Sequence, residues 1–97
     1  MVYIITPSKN KIVLPKRGYF TKGDSGESIG VISSFLAINF LGFENKLKVK
    51  VEDMLGDYYG NNLVAWVKEF QRINNLVQDG NIGSITLSKL REYGLDA

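Results

Sequence analysis

The chain has 97 residues, 44% of them hydrophobic, which is enough for one modest core and too few for two domains. It has no cysteine and no histidine. These absences exclude disulfide frameworks, the usual zinc sites and nucleophiles activated by histidine, so we expect neither a metal nor another cofactor. The net charge is only +2, but the first 22 residues carry five cations and no acid. The amino-terminal arm is therefore the one segment with a positive field.

The opening residues do not match an export signal. The apolar run near the start is short and no basic stretch precedes it. No segment approaches the length of a membrane-spanning helix. We expect no membrane insertion, and we expect any export signal to lie on another part of a larger protein or in a separate release system.

The amino-terminal arm predicts a β-hairpin. Residues 2–5 and 11–14 are short apolar strands, and the turn-forming residues 6–10 separate them. We assign residues 1–18 to this hairpin extension and residues 19–97 to a helical domain, the two forming one folded unit. An open hairpin edge could also pair with a second copy, so an assembly module that forms a homodimer is the alternative function.

The next segments predict a buried helix and a short strand. Asp24 followed by Glu27 matches an N-cap with a reciprocal acid, which predicts a helix from about Ser25 to about Phe40. Apolar residues alternate with lysines over residues 47–51, which predicts a third short strand beside the hairpin. A short helical turn is the alternative for that segment.

Two further helices complete the prediction. The second begins near Asn62, with Asn61 or Asn62 as its cap, and ends at Asn75 in a left-handed conformation. The third covers about residues 84–93, and Gly94 closes it. The expected fold is mainly α, a compact three-helix bundle with a small N-terminal β-hairpin.

The most informative motif is a glycine-containing loop before the third helix. It reads Asp79-Gly80-Asn81-Ile82-Gly83, follows the pair Phe70-Gln71 and precedes Thr86 and Leu90. Both glycines permit turn dihedrals, Asp79 can accept a hydrogen bond from the amide two residues on, and Ile82 suits a core position. These residues are therefore expected to fix the fold rather than to contact a ligand.

The same pattern resembles the small helical peptidoglycan-binding domain that many bacterial and phage cell-wall hydrolases carry beside a catalytic domain. The resemblance extends from about Phe20 to Leu95. In the amino half, Gly56-Asp57 inverts the family's Asp-Gly pair, and Ser33 or Phe35 replaces its glutamine.

The resemblance implies a non-catalytic module that binds peptidoglycan glycan or stem peptide and targets an attached hydrolase. A phage endolysin is the expected parent, held in the host cytoplasm before lysis and then acting at the bacterial wall. The basic arm could contact wall teichoic acid. No nucleic-acid partner is expected, because the helices carry few cations. An enzyme would need paired carboxylates, for which Asp53, Asp57 and Asp79 are the candidates.

A polar and aromatic cluster precedes the second helix. One of the adjacent Tyr58 and Tyr59 should fill the core, and we assign that place to Tyr59. Tyr58 should then face solvent and bind the ligand together with Asp57, Asn61 and Asn62.

Trp66 is a further candidate ligand-binding residue, because the family has a small residue at this position. Its indole could stack on a sugar ring or a peptide stem. The alternative is that Trp66 belongs to the core and covers the hairpin extension.

Overall fold

A computed structural model describes residues 11–96, which contain three long helices, two short helices and one two-stranded sheet. In chain order the elements are β1 (Tyr19–Phe20), α1 (Glu27–Asn39), α2 (Phe43–Leu47), α3 (Val51–Met54), α4 (Asn61–Ile73), β2 (Ile82–Gly83) and α5 (Ser84–Glu92). The three long helices α1, α4 and α5 confirm the predicted bundle. Across residues 11–96, no helix is both long and apolar enough to span a membrane.

The core lies between the three long helices. Fully buried apolar side chains come from α1, α4, α5 and the loops that precede the last two; the largest are Trp66, Tyr59, Phe70, Ile29, Ile32, Leu36, Leu63, Ile82 and Leu90. On α1 and α4 these residues recur every three or four positions, so each helix turns one apolar stripe inward. Such burial stabilises helices that are too short to persist alone.

Residues 19–26 connect the two loops that precede α4 and α5. β1 pairs antiparallel with β2, with Phe20 opposite Ile82. The same segment then reaches the first loop, where the Tyr59 amide donates to the Asp24 carbonyl at 2.8 Å and the Gly26 amide donates to the Asp57 carbonyl at 2.8 Å. One extended segment therefore holds both loops.

The small antiparallel sheet is confirmed, but its strands are not those of the predicted hairpin. Residues 11–14, the predicted second strand, are described and form no strand, while residues 2–5 lie outside the described residues. Ile12 instead donates its amide to the Asp96 carboxylate at 3.1 Å, and its carbonyl accepts from Arg91 at 2.6 Å. We call Ile12, Arg91 and Asp96 the terminal clasp. The amide and carbonyl of Ile12 are thus hydrogen-bonded to side chains, whereas in a hairpin they would pair with another strand.

The strand predicted at residues 47–51 is wrong, and the alternative of one helical turn across them is not formed either, because only Leu47 and Val51 belong to helices. α2 ends at Leu47 and α3 begins at Val51. Lys48 between them has a φ of 59°, a left-handed conformation that breaks an extended run. The Val51 amide donates to the Glu44 carboxylate at 2.9 Å, so a side chain of α2 fixes the start of α3.

The predicted helix caps are also wrong. α1 begins two residues later than expected, with Gly26 at its N-cap, because the Asp24 carboxylate accepts the Thr21 amide at 2.8 Å and pairs with Arg17. The hydrogen bond from Arg17 lowers the pKa of Asp24. Gly60 is the N-cap of α4, so Asn61 and Asn62 lie inside the helix.

The predicted helix ends agree better with the structure. Asn75 has a φ of 59° and Gly94 a φ of 114°. Both residues therefore adopt the left-handed conformation that ends a helix.

Candidate functional site

Gln71 on α4 holds the loop before α5. Its side-chain carbonyl accepts the Gly80 amide at 2.9 Å, and its amide nitrogen donates to the Asn81 carbonyl at 2.9 Å. The Asp79 carboxylate accepts the Asn81 amide at 2.9 Å, as the sequence predicts. Ile82 is fully buried, so its predicted core position is confirmed.

Only one of the two glycines in this loop uses the freedom that the sequence analysis assigned to both. Gly80 has a φ of +77°, and a Cβ there would lie 2.9 Å from Val64. Gly83 is extended, with a φ of −96°, and pairs with Tyr19. Gly80 is therefore required for the turn, whereas Gly83 is part of β2.

Ser33 on α1 plays the same part for the loop before α4. Its hydroxyl accepts the Gly56 amide at 3.2 Å and lies 2.9 Å from the Gly56 carbonyl oxygen. Of the two residues that could replace the family's glutamine, Ser33 makes these loop contacts. Phe35 lies in the core. The chain thus repeats one arrangement, in which a polar side chain of a long helix binds the backbone of the loop before the next long helix.

Tyr59 joins the two loops. Its side chain is fully buried, and its hydroxyl donates to the Gly80 carbonyl. Burial, followed by the charges of Asp79 and Asp24, raises the pKa of Tyr59. The neighbouring Tyr58 is 57% exposed. The prediction that Tyr59 fills the core and Tyr58 faces out is confirmed.

A surface cleft of about 430 Å³ lies where α3, the first loop and the start of α4 meet. Its lining residues are Asp53, Met54, Leu55, Gly56, Asp57, Tyr58, Gly60, Asn61, Asn62 and Leu63. The Tyr58 ring lies beside Gly60, where a Cβ would be 3.4 Å from two ring atoms. The cleft therefore has an exposed aromatic ring on a loop and polar side chains at a helix start.

The structure brings four of the predicted site residues together in this cleft: Asp57, Tyr58, Asn61 and Asn62. Asn62 also has a structural contact, because its amide nitrogen donates to the Asp53 carbonyl of α3 at 3.0 Å. Asp53, which the sequence singles out only as a candidate for paired carboxylates, also lines the cleft, and so does Leu55, which the sequence does not single out. The prediction of a strand at residues 47–51 did not place the next turn beside α4.

Trp66 lies away from the cleft, and the structure contradicts its predicted role as a platform. Its side chain is fully buried, packs edge-on against Phe43 with ring centroids 5.4 Å apart, and donates from Nε1 to the Val49 carbonyl at 3.2 Å. A fully enclosed indole has no face to offer a sugar. The alternative, that Trp66 belongs to the core, is confirmed. Its observed contacts are with Phe43 of α2 and with Val49 rather than with the predicted hairpin.

The cleft is acidic rather than basic. Among its lining residues, all within the described range, Asp53 and Asp57 carry carboxylates and none is a cation. Hydroxyl and amide groups suit its asparagines as hydrogen-bond partners, and ammonium groups suit its carboxylates. Phosphate groups would be repelled.

Comparison with known proteins identifies the family. The family model described as a peptidoglycan binding domain matches residues 37–90. The chain belongs to the peptidoglycan binding domain family. The matched segment contains the whole cleft, both loops and α4. No curated protein and no solved structure matches the chain.

Membership of this family establishes peptidoglycan binding, which takes place at the cell wall. A peptidoglycan binding domain is non-catalytic in itself. The resemblance predicted from the Phe70-Gln71 pair and the loop from Asp79 to Gly83 is therefore confirmed.

Proposed function

We propose that this peptidoglycan binding domain contacts the wall through the cleft between α3 and α4. The observation that carries the proposal is the convergence of Asp57, Tyr58, Asn61 and Asn62 on one concave surface. Ligand sites are typically concave, with an apolar or aromatic surface and a few polar groups that fix orientation.

Tyr58 is the proposed centre of recognition. Its ring is 57% exposed beside Gly60, so one face is free to stack on an apolar sugar face or on a stem-peptide side chain. The side chains of Asn61 and Asn62 line the same cleft at the start of α4 and can supply hydrogen bonds for hydroxyl or amide groups. The carboxylates of Asp53 and Asp57 favour a neutral or cationic group over a phosphate.

We further propose that the domain targets an attached hydrolase to the wall, and that the parent protein is a phage endolysin that resides in the host cytoplasm before lysis. The support is the resemblance to modules carried by wall hydrolases. Tethering raises the local concentration of substrate around a catalytic domain without any new contact at its active site. The acidic cleft argues against teichoic acid as its main ligand, because teichoic acid is polyanionic.

Co-sedimentation with purified sacculi tests the cleft. We expect the wild-type chain to pellet with sacculi whether or not teichoic acid has been removed, and we expect Tyr58→Ala to pellet much less. Tyr19→Ala is the matched control, because Tyr19 is also exposed, at 39%, and does not line the cleft. Circular dichroism should show that both variants are folded.

Three outcomes would contradict parts of this proposal. Equal pelleting of Tyr58→Ala and wild type would show that the domain binds the wall but not through the cleft. Loss of pelleting when teichoic acid is stripped would show that teichoic acid, rather than peptidoglycan, is the ligand. No pelleting with either preparation would refute wall binding by the isolated chain.

A further inference from the structure

Asp79 and Gly80 form the dipeptide at which aspartate isomerises most readily in an unconstrained chain. The Gly80 amide nitrogen attacks Cγ of the protonated Asp79 carboxyl group, a water molecule leaves, and a cyclic imide closes. Glycine is the least hindered partner in this attack because it has no Cβ. Addition of water to the imide at the backbone carbonyl then yields isoaspartate, with the main chain routed through the side chain and the mass unchanged.

The folded loop holds both reacting groups. The Gly80 amide, which must lose its proton to attack, donates to Oε1 of Gln71 at 2.9 Å. Oδ1 of Asp79 accepts the Asn81 amide at 2.9 Å and lies 3.1 Å from Nε2 of Gln71. Gly80 is also buried, and its carbonyl accepts the Tyr59 hydroxyl.

We propose that Gln71 suppresses isoaspartate formation at Asp79-Gly80, so that this dipeptide is a latent modification site guarded by one side chain. Gln71 is the residue that contacts both partners in the reaction, the nitrogen through Oε1 and the carboxylate through Nε2. Gln71 is itself only 1% exposed, so water competes little for these contacts.

Isomerisation would damage the fold at a sensitive place. The extra backbone carbon lies three residues before Ile82, which is fully buried and pairs with Phe20. A longer main chain moves Ile82 out of register with β1. The guard therefore protects the position of β2 and the start of α5.

Asp79→Asn provides a reporter for this proposal. Asparagine is isosteric with aspartate, retains Oδ1 as an acceptor, and forms the same imide with loss of ammonia. Its products are aspartate and isoaspartate, and peptide mass spectrometry detects the resulting gain in mass at residue 79. The reaction is followed at neutral pH in the folded variant and in the same variant unfolded in urea.

We expect the folded variant to deamidate at least about tenfold more slowly than the unfolded one, because the loop contacts must open first. Adding Gln71→Ala should bring the folded rate toward the unfolded rate. Gln78→Ala is the matched control, since Gln78 is exposed and adjacent to the dipeptide. Each rate is divided by the rate of the same sequence in urea, which removes intrinsic effects of the neighbouring residue.

Equal folded and unfolded rates in Asp79→Asn would overturn the proposal. A folded Gln71→Ala variant that deamidates no faster than the Gln78→Ala control would also overturn it. Where Gln71→Ala does not fold, Gln71→Glu replaces it, because glutamate keeps an acceptor for the Gly80 amide but loses the donor to residue 79. A deamidation rate for this folded variant above that of Asp79→Asn alone supports the proposal, and an unchanged deamidation rate overturns it.

Discussion

The hydroxyl of Tyr59 joins the two motif loops, so its removal should be costly although it changes little volume. In Tyr59→Phe the ring stays in the core and the Gly80 carbonyl loses its buried donor. A buried acceptor left without a partner costs about 1–3 kcal/mol. Domains of this size have a free energy of unfolding of only about 5–15 kcal/mol, so the loss is a substantial fraction of the total.

Urea denaturation followed by circular dichroism measures this effect. If the free energy of unfolding falls by about 1 kcal/mol per molar urea, the midpoint of Tyr59→Phe should fall by about 1 M or more. Tyr58→Phe is the matched control, since Tyr58 is 57% exposed, and its free energy of unfolding should stay within about 0.5 kcal/mol of wild type. Equal midpoints for the two variants would refute the inference that the Tyr59 hydroxyl links the loops.

Three further predictions concern single contacts. Burial raises the folded pKa of Tyr59, so its contribution to stability is complete below the unfolded pKa of about 10 and is lost as pH rises toward the folded pKa. In urea titrations above pH 10, wild type should therefore lose stability more steeply than Tyr59→Phe. Hydrogen bonding to Arg72 lowers the pKa of Glu69, so that contribution is present above about pH 4.3 and is lost as pH falls through the folded value. Glu69→Gln should therefore flatten the acid limb of the urea midpoint against pH, and an unchanged limb would contradict this cause. Ser33→Ala leaves the Gly56 amide without its side-chain partner. Because Gly56 is exposed and water can replace the hydroxyl, the change should cost about 0.5–1.5 kcal/mol in urea denaturation, whereas no loss would show that the serine does not hold the loop.

The long helices and their C-terminal ends were predictable because local chemistry decides them. The apolar stripe of each helix is visible in the sequence, and a left-handed residue after the last turn suits asparagine or glycine, as at Asn75 and Gly94. The pair of adjacent tyrosines was also resolved, since two neighbouring residues in a loop cannot both fill the same core position. Proximity along the chain brought Asp57 and Tyr58 close to Asn61 and Asn62.

The failed predictions depend on partners that are distant in sequence or that compete locally. Asp24 has a good N-cap sequence, but Arg17 and the Thr21 amide occupy its carboxylate. The alternation of apolar residues with lysines over residues 47–51 indicates a strand only if a neighbouring strand exists, and the described residues offer none there. Trp66 was placed in a site from the family comparison alone, whereas its burial depends on α2 and Val49.

The terminal clasp determines how a mechanical load enters the fold. Tension applied from the amino-terminal side of Ile12 reaches its bonds to Arg91 and Asp96 before it reaches β1 at Tyr19. The Asp96 carboxylate and the Arg91 guanidinium therefore carry the force first. The hydrogen bonds of the short β1–β2 pair, which could break one after another, are not loaded until the clasp contacts break. A peptidoglycan binding domain pulled from its amino-terminal side would therefore stay folded until these side-chain contacts break.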